Sequence, residues 1–437
     1  MSDQEARIFV ESTFGQWRTS AQVDRDRLLY SPHLARLAEV TQVRSVDGGY
    51  LVHNRLTHSL KVAQLSRRIA EKLIYDSKSS KAQIELDPDV AESAGLAHDM
   101  GHPPFGHIAE DELNRLLQEK PGAGGYEGNA QTFRIVTRLS VSDSAPQNRG
   151  ERRPPALNLT RATLNAILKY PWLEGSNPKK PNKWGAYQSE LSFFEWARGA
   201  SFGSSNQRSI AAEVMDWADD ITYAIHDMID FHCAGLIPLH LLADGLRGKD
   251  SVARAEVDRF LDGASSRESE IKQDVDGYRE LLRKALNLLT ISGPYRGTLE
   301  ENRDLWYFTS ELISLYIGAM RVAPANEFAA GSRVVRISPE LKNQTRILKQ
   351  LTWHYVICHS DLATLQYGQR RMIRDLFEVY RDAATRDKLD LFPIGFAEMI
   401  REDKNNTPAE RWAADFISGL TEQEVHRLHR RLVAPSA

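Results

Sequence analysis

Residues 56–75 read LTHSLKVAQLSRRIAEKLIY, and their apolar side chains recur at helical spacing. Leu60, Ala63, Ile69 and Leu73 share one helix face, while the charged residues occupy other positions. The same pattern recurs along the chain, over residues 107–119, 129–140, 160–170, 209–231, 252–291, 304–321 and 339–359. We therefore predict a mostly α fold.

Segments without this pattern suggest how the chain is organised. Residues 43–52, with Asp-Gly-Gly at 47–49, are the best candidate for a hairpin, so we expect at most a small β-hairpin. The polar stretch 76–89 and the proline-containing stretch 141–156 are predicted surface insertions. Because plainer amphipathic helices follow residue 236, we predict a core at 20–235 and a C-terminal helical region at 236–437 that packs on it.

The composition argues against a basic nucleic-acid binder, a disulfide-rich protein and a membrane protein. The 437 residues are 41% hydrophobic and 26% charged, with a net charge of −3, so the chain lacks the overall basic character of many nucleic-acid binders. Local basic stretches at 333–349 and 426–431 favour solvated helix faces first and nucleotide or DNA contacts second. Two distant cysteines are too few for a disulfide framework or a cysteine zinc site. The N-terminal segment has no apolar signal core, and no apolar run approaches the roughly 18 residues that span a bilayer. We expect a cytoplasmic protein without membrane contact.

Histidines and acids from three separated segments predict a metal site. His58 lies near the start of the first helix, His98-Asp99 precedes GHPPFGH, and aspartates follow within MDWADDITYAIHD at 215–227. A mixed imidazole and carboxylate set suits octahedral divalent metals. A single histidine is more often a core residue, an acidic pair is often a solvated face, and the second His-Asp dipeptide at 226–227 shows that the dipeptide alone is weak evidence. The combination favours metal binding.

Six motifs together resemble the deoxyguanosinetriphosphate triphosphohydrolase family of HD-domain proteins: RLTHSLKVAQ, AHDMGHPPFGHIAEDELN, YEGNAQTFRI, LNLTRATLNAILKYP, KWGAYQSE and VMDWADDITYAIHD. The resemblance covers most of residues 20–235, and ADFISGLT near the C-terminus is similar to that family's closing motif. It implies an HD-domain helical fold and a metal-dependent hydrolysis of a deoxynucleoside triphosphate to deoxynucleoside and triphosphate.

The resemblance also implies roles for individual residues. The expected metal ligands are His58, His98, Asp99 and Asp219, and the expected catalytic pair is His107 with Glu110. The expected substrate-binding residues are Gln42, Arg55, His102, Lys169, Lys183, Tyr187, Tyr223 and Asp227. Simpler interpretations stay open: Glu110 as a solvated first-turn acid, His102 as a capping residue, Tyr223 as a core aromatic, and the lysines as surface residues.

Helical spacing agrees with several of these assignments. Arg55 lies three residues before His58, so both face the same side of one helix. Asp219, Tyr223 and Asp227 are four residues apart, and each such step drifts only about 40° around an α-helix. We therefore expect all three to face one cleft.

The resulting hypothesis is attack of water on the α-phosphorus at the metal site, with His107 protonating the departing 5′-oxygen and Glu110 orienting its imidazole. The metal would be Mn²⁺, Mg²⁺, Co²⁺, Ni²⁺ or Fe²⁺, and the substrate dGTP or several dNTPs. The resemblance further implies a tetramer or hexamer and a nucleotide or single-stranded DNA effector. The sequence contains no glycine-rich phosphate-binding loop that would indicate another class of nucleotide-binding protein. Two alternatives stay open: an HD phosphohydrolase of monophosphates or cyclic nucleotides, and a non-catalytic nucleotide- or DNA-binding regulator.

Overall fold

The computed structural model describes residues 3–11, 16–42, 54–80, 84–120, 122–141, 156–202, 205–291, 293–323, 335–358, 360–403 and 406–433. The fold is mostly α, as predicted. Its α-helices, in chain order, are α1 Ser20–Leu29, α2 Pro32–Ala35, α3 Arg55–Ser80, α4 Pro88–Ala97, α5 His107–Gln118, α6 Gly128–Arg134, α7 Arg161–Ile167, α8 Leu191–Phe202, α9 Ile210–Thr222, α10 Met228–Cys233, α11 Leu239–Leu246, α12 Ser251–Arg267, α13 Ser269–Gln273, α14 Val275–Leu286, α15 Leu299–Ile317, α16 Pro339–Thr352, α17 Ser360–Thr385, α18 Ile394–Glu402, α19 Ala409–Ser418 and α20 Glu422–Leu432.

Shorter elements complete the described chain. Three π-helical turns directly follow α6, α9 and α16, at Ile135–Leu139, Tyr223–Asp227 and Trp353–Ile357. 3₁₀ turns lie at Asp3–Glu5, Arg36–Glu39, Gln188–Glu190 and Leu389–Leu391. The strands β1 Met320–Val322 and β2 Val335–Ile337 pair antiparallel, with Met320 opposite Ile337.

Local sequence explains where several helices begin. Thr19, Thr298 and Thr421 each form a capping box with the Gln or Glu three residues later. Asp87 caps α4, whose first residue is Pro88. These side chains satisfy backbone N–H groups that the first helical turn leaves without an internal partner.

The helices that carry the histidine and aspartate motifs pack against one another. α3 and α4 lie side by side, and α9 packs on both. Val62, Ile69, Trp217 and Ile221 are fully buried in the largest apolar cluster. This packing places the N-terminal end of α3, the C-terminal end of α4 and the C-terminal half of α9 near one another.

The C-terminal helices attach to the same body through apolar and ionic contacts. α17 and α19 cover α5, where Leu113, Phe377 and Ile417 are buried together. Arg134 of α6 is almost fully buried and its Nη2 lies 2.7 Å from Asp415 Oδ2 of α19. The largest apolar cluster contains residues from both sides of position 236. The division at 236 stays a prediction, and the two regions share one core.

Some expected boundaries differ from the observed ones. The predicted helical stretch 252–291 contains three consecutive helices, the last of which ends at Leu286, because Glu268 and Asp274 leave helical geometry and start new helices. The polar segment predicted as an insertion from residue 76 begins inside α3, which continues to Ser80. The predicted hairpin at 43–52 and nearly all of the predicted insertion at 141–156 lie outside the described residues.

Candidate active site

Four residues expected to bind metal lie close together at the junction of α3, α4 and α9. His58 Nε2 is 3.1 Å from Asp219 Oδ1, and His98 Nε2 is 3.7 Å from the same oxygen and 3.5 Å from Asp99 Oδ1. Ligand atoms of His58, His98 and Asp99 all lie within 4.8 Å of one another. The structure therefore brings together two imidazoles and two carboxylates from three helical segments.

The orientation of His98 fits a metal ligand. It lies at the C-terminal end of α4, where its Nδ1 is 2.7 Å from the carbonyl oxygen of Gly95. A carbonyl only accepts, so Nδ1 carries the proton and Nε2 keeps its lone pair. Among the described residues this buried Nε2 has no hydrogen-bond partner. A buried nitrogen lone pair facing two carboxylates is the donor arrangement that a divalent metal satisfies.

Charged neighbours hold the two carboxylates ionised. Burial alone would raise the pKa of Asp99, but the neighbouring His98, His102 and Arg55 outweigh it and hold the pKa well below its ordinary value. Arg55 Nη1 donates to Asp99 Oδ2 over 2.8 Å. Burial likewise opposes ionisation of Asp219, and Lys169, 2.8 Å from its Oδ2, keeps the pKa of Asp219 well below the usual range.

His107 and Glu110 form a hydrogen-bonded pair at the start of α5. His107 Nδ1 is 2.8 Å from Glu110 Oε2, and the imidazole is 71% exposed whereas the carboxylate is only 9% exposed. The turn before the helix needs positive φ at Phe105 and Gly106 (67° and 57°). A Cβ on Gly106 would lie 2.9 Å from Arg55 Nη2, so glycine also permits the close approach of Arg55. The open imidazole on a buried carboxylate suits proton transfer to a ligand in the cavity.

Glu110 is the centre of a second charged group. Its Oε1 accepts the Gly128 N–H over 3.1 Å and lies 3.6 Å from Lys183 Nζ. Burial would raise the pKa of Glu110, but the hydrogen bond from His107 and the charges of His102 and Lys183 lower it below its ordinary value. His102, His107 and Glu110 have ligand atoms within 4.8 Å of one another. The simpler interpretation of Glu110 as a solvated acid does not fit this burial.

Most predicted site residues line one cavity of about 840 Å³. Those that line it are Gln42, Arg55, His58, His98, Asp99, His102, His107, Lys169, Lys183, Asp219 and Tyr223. Glu110 lies behind His107 and contacts the cavity through it. Residues that are far apart in sequence thus converge on one space large enough for a nucleotide.

Tyr187 and Asp227 are not among the described residues that line this cavity. Tyr187 is buried under Arg411, whose guanidinium carbon is 4.0 Å from the ring centre, and its hydroxyl donates to Gln131 Oε1. Asp227 is 2% exposed, and burial raises its pKa well above the ordinary value. The expectation of one shared face used α-helical spacing, but residues from Tyr223 to Asp227 form a π-helical turn. The Asp227 carboxylate interacts electrostatically with Asp219 and Arg55, so Asp227 lies close to the site, and its role stays a prediction.

A further part of the cavity lining comes from α16, which no assignment from the motifs included. Lys342, Thr345, Arg346, Lys349 and Gln350 line the cavity from this helix. Lys349 Nζ is ion-paired with Asp220 and lies 5.7 Å from the centre of the Tyr223 ring. The sequence signal for this part of the lining was the basic stretch at 333–349, which we interpreted first as a solvated helix face. Part of that stretch faces the cavity instead.

Comparisons with known proteins agree with this arrangement. A family model for the HD domain matches residues 55–144, and one for the phosphohydrolase-associated domain matches residues 335–431. The first match contains Arg55, His58, His98, Asp99 and His107, and the second contains α16. The helical fold and its histidine–aspartate cluster therefore define a phosphohydrolase of the HD superfamily.

Similar proteins span nearly the whole chain. A deoxyguanosinetriphosphate triphosphohydrolase-like protein of Streptomyces coelicolor is 34% identical over 429 residues, which cover 95% of this chain and 93% of that protein. Proteins with the same description from Corynebacterium efficiens and Shewanella sp. (strain ANA-3) are 33% and 29% identical, over 94% and 96% of this chain and 91% and 93% of their own lengths. This chain belongs to the deoxyguanosinetriphosphate triphosphohydrolase-like family. In the part of the chain that the structure describes, no helix has the length and apolar character needed to cross a bilayer.

Proposed function

We propose that this protein is a divalent-metal-dependent dNTP triphosphohydrolase, which converts a deoxynucleoside triphosphate to deoxynucleoside and triphosphate. The observation that carries the proposal is one cavity that combines a metal-type cluster, a His–Glu pair and several basic residues. The names of the similar proteins support the same substrate class. The cluster would bind the metal, the His–Glu pair would supply a proton to the leaving group, and the basic residues would offset the charge of the triphosphate.

The metal requirement falls on His58, His98, Asp99 and Asp219. Their nitrogen and oxygen donors suit Mn²⁺, Mg²⁺, Fe²⁺, Co²⁺ or Ni²⁺, and four protein ligands leave positions of an octahedron for other oxygens. A cation bound there supplies Lewis acidity and activates water for attack at phosphorus. Arg55 and Lys169 hold Asp99 and Asp219 in their ionised forms and in fixed orientations.

The leaving group needs a proton, and His107 is placed to give it. The Glu110 carboxylate accepts the Nδ1–H of His107 and leaves Nε2 to face the cavity. Because Glu110 is buried and stays ionised, it orients the imidazole of His107. His107 then protonates the departing 5′-oxygen at Nε2.

The triphosphate carries several negative charges, which basic residues of the cavity lining offset. Arg55, Lys169 and Lys183 line the cavity, as do Arg346 and Lys349 of α16. The ammonium groups of Lys169 and Lys183 are held by Asp219 and by Glu127, 2.8 Å and 3.1 Å away. Such pre-positioned cations bind phosphate oxygens with little loss of side-chain entropy.

The sugar would lie between Gln42 and Tyr223, both on the cavity surface. The Tyr223 ring presents an apolar face that crowds a 2′-hydroxyl and tolerates a 2′-hydrogen. Asp227 and Tyr187 would then act from behind the wall, through Tyr223 and through Glu127, instead of by direct contact. The Tyr187 hydroxyl oxygen also lies 3.3 Å from the Glu127 carbonyl oxygen.

The first experiment incubates purified protein with Mn²⁺ and each dNTP, singly and mixed, and resolves the products by ion-exchange chromatography. Deoxynucleoside with intact triphosphate is the expected result, abolished by a chelator and by His98→Ala. His107→Ala should lower kcat by a factor of about 10² to 10⁴ and leave bound metal unchanged. His429→Ala is the matched control, since this histidine also pairs with a carboxylate, Asp375 at 3.0 Å, outside the described lining of the cavity.

Other outcomes would redirect the assignment. Release of orthophosphate, or of monophosphate with pyrophosphate, indicates the alternative HD phosphohydrolase. Nucleotide binding without turnover under any metal indicates a non-catalytic regulator. Activity only in the dNTP mixture supports a nucleotide effector, and a mass of four or six chains by light scattering supports the proposed tetramer or hexamer.

A further inference from the structure

Glu422, the first residue of α20, reaches from the C-terminal helix into two segments of the active site. Its Oε1 accepts the backbone N–H of Thr41 over 2.9 Å and that of Phe105 over 3.2 Å. Its Oε2 accepts the Thr41 hydroxyl over 2.9 Å. One carboxylate therefore joins two segments that are 64 residues apart in sequence and lines the cavity itself.

Both bonded residues are direct neighbours of proposed site residues. Thr41 precedes Gln42, and Phe105 lies two residues before His107. Phe105 has a φ of 67°, which a residue with a side chain adopts only when its surroundings hold it there. The Glu422 carboxylate bonds the N–H of this strained residue, so it stabilises the turn that presents His107.

Neighbouring contacts fix the same C-terminal segment against the same turn. The buried Arg36 donates to the carbonyl oxygens of Leu420, Met100 and His102, at 3.3, 2.7 and 2.6 Å. The Phe105 ring also packs edge-on against His426 of α20, with centroids 5.6 Å apart. These contacts fix the start of α20 against the turn that carries His107. Glu422 is the side chain that also connects this turn to Thr41.

We propose that Glu422 is a positioning residue, whose carboxylate sets the spacing between the Gln42 segment and the turn that carries His107. This inference rests on the proposed function, because it assigns Glu422 to the reaction that His107 serves. Bonds from N–H groups to a carboxylate are stronger than neutral ones, and a misplacement of about 1 Å at a reacting group can cost about 10²-fold in rate.

Three substitutions at one position test the geometry. Glu422→Ala removes all three bonds and should lower kcat by about 10- to 100-fold. Glu422→Gln keeps an oxygen for both backbone N–H groups, and its amide can donate to the Thr41 hydroxyl, so its kcat should stay within about threefold of wild type. Glu422→Asp is shorter by about 1.5 Å and cannot reach both segments, so it should resemble the alanine variant.

Glu424→Gln is the matched control on the same helix turn. Glu424 accepts the Thr421 N–H in the capping box of α20, and glutamine keeps that bond while removing the charge. It should leave kcat unchanged. If the Ala, Asp and Gln variants at 422 all lose activity to the same extent, charge matters and spacing does not, and the proposal is wrong.

A double variant separates positioning from a general structural role. If Glu422 acts through His107, then Glu422→Ala should lower kcat much less in a His107→Ala background than in wild type. An equal loss in both backgrounds would overturn the proposal. Bound metal, measured by mass spectrometry, should be unchanged in every variant.

Hydrogen exchange provides a readout that does not need turnover. The Thr41 and Phe105 amides should exchange faster in Glu422→Ala than in Glu422→Gln, while amides in α12 stay as in wild type. Unchanged exchange at both amides would contradict the contact itself. If the wild-type protein hydrolyses a nucleotide ester other than a dNTP, the proposed function is wrong. The Glu422 variants can then be compared on that ester, so the proposal for Glu422 is still tested.

Discussion

Replacing Gly101 by alanine should destabilise the protein and disturb the site, because this glycine lies where α6 approaches the His-Asp motif. A Cβ at Gly101 would lie 2.1 Å from the Gly128 carbonyl oxygen and 2.2 Å from the Thr132 nitrogen. Both contacts are with backbone, so no side chain can rotate aside. The first distance is about 1.3 Å short of ordinary contact, and α6 must move by a similar amount.

The expected cost follows from this displacement. Overpacking of a buried site costs about 1–3 kcal/mol. The shift also weakens two bonds of Gly101, its N–H to Thr132 Oγ1 (2.9 Å) and its carbonyl to the Tyr126 hydroxyl (2.8 Å), worth about 1 kcal/mol each. A total of about 3–5 kcal/mol corresponds to a drop of about 3–6 °C in Tm, since a chain of this length gains about 0.9 kcal/mol/K of entropy on unfolding.

The assay is thermal unfolding by circular dichroism, combined with bound-metal content. Metal content should fall as well, because Asp99 and His102 flank the displaced backbone. Gly395→Ala is the matched control: nothing lies within 4 Å of a Cβ there, the position is helical, and alanine should be neutral or slightly stabilising. A Gly101→Ala protein with wild-type Tm and metal content would refute the argument.

Three further perturbations test other parts of the structure. Asp415→Asn should lower the free energy of unfolding by about 1.5–3 kcal/mol, because it weakens the charged hydrogen bonds of the buried Arg134 guanidinium, which keeps Glu190 as its remaining carboxylate partner. Urea titration measures this, and an unchanged midpoint would contradict it. Burial raises the pKa of Asp230 to about 7 from an ordinary 3.8 despite Lys61 nearby, so ionisation costs stability as pH rises from about 4 to 7. Asp230→Asn should lessen that decline, to which the buried Asp227 also contributes. Parallel pH dependence of Tm in wild type and variant would exclude this effect. Lys349→Met should raise KM for dNTP by roughly 5- to 30-fold with a smaller change in kcat, whereas Lys284→Met, which removes an exposed ion pair with Glu340, should change neither.

Local spacing predicted much of the candidate site. Arg55 and His58 lie on one face of α3, and His107 and Glu110 meet at the start of α5, as an interval of three residues predicts. Such pairs depend only on helical geometry, which the sequence pattern reports directly. The same rule places Asp227 beside Asp219 and Tyr223; its carboxylate is buried near both residues, and its role stays a prediction.

Hydrophobic periodicity could not predict contacts between segments that are far apart in sequence. Tyr187 has the same local pattern whether it faces a cavity or packs under Arg411, and the buried cluster decides between the two. The basic face of α16 has the same composition whether it faces solvent or the cavity. Glu422 looks like an ordinary first-turn acid until α20 lies against Thr41 and Phe105.

The sequence by itself determined the mostly α fold, the membership in an HD phosphohydrolase family, and the residue types that form the metal-type cluster and the His–Glu pair. These follow from motifs whose members lie within a few turns of one helix or carry distinctive chemistry. Only the tertiary structure decided which residues reach the cavity, which side chains lie behind its wall, and how α16 and α20 complete it. The physical reason is that helical periodicity specifies which face is apolar, whereas the partner of each face depends on how the whole chain packs.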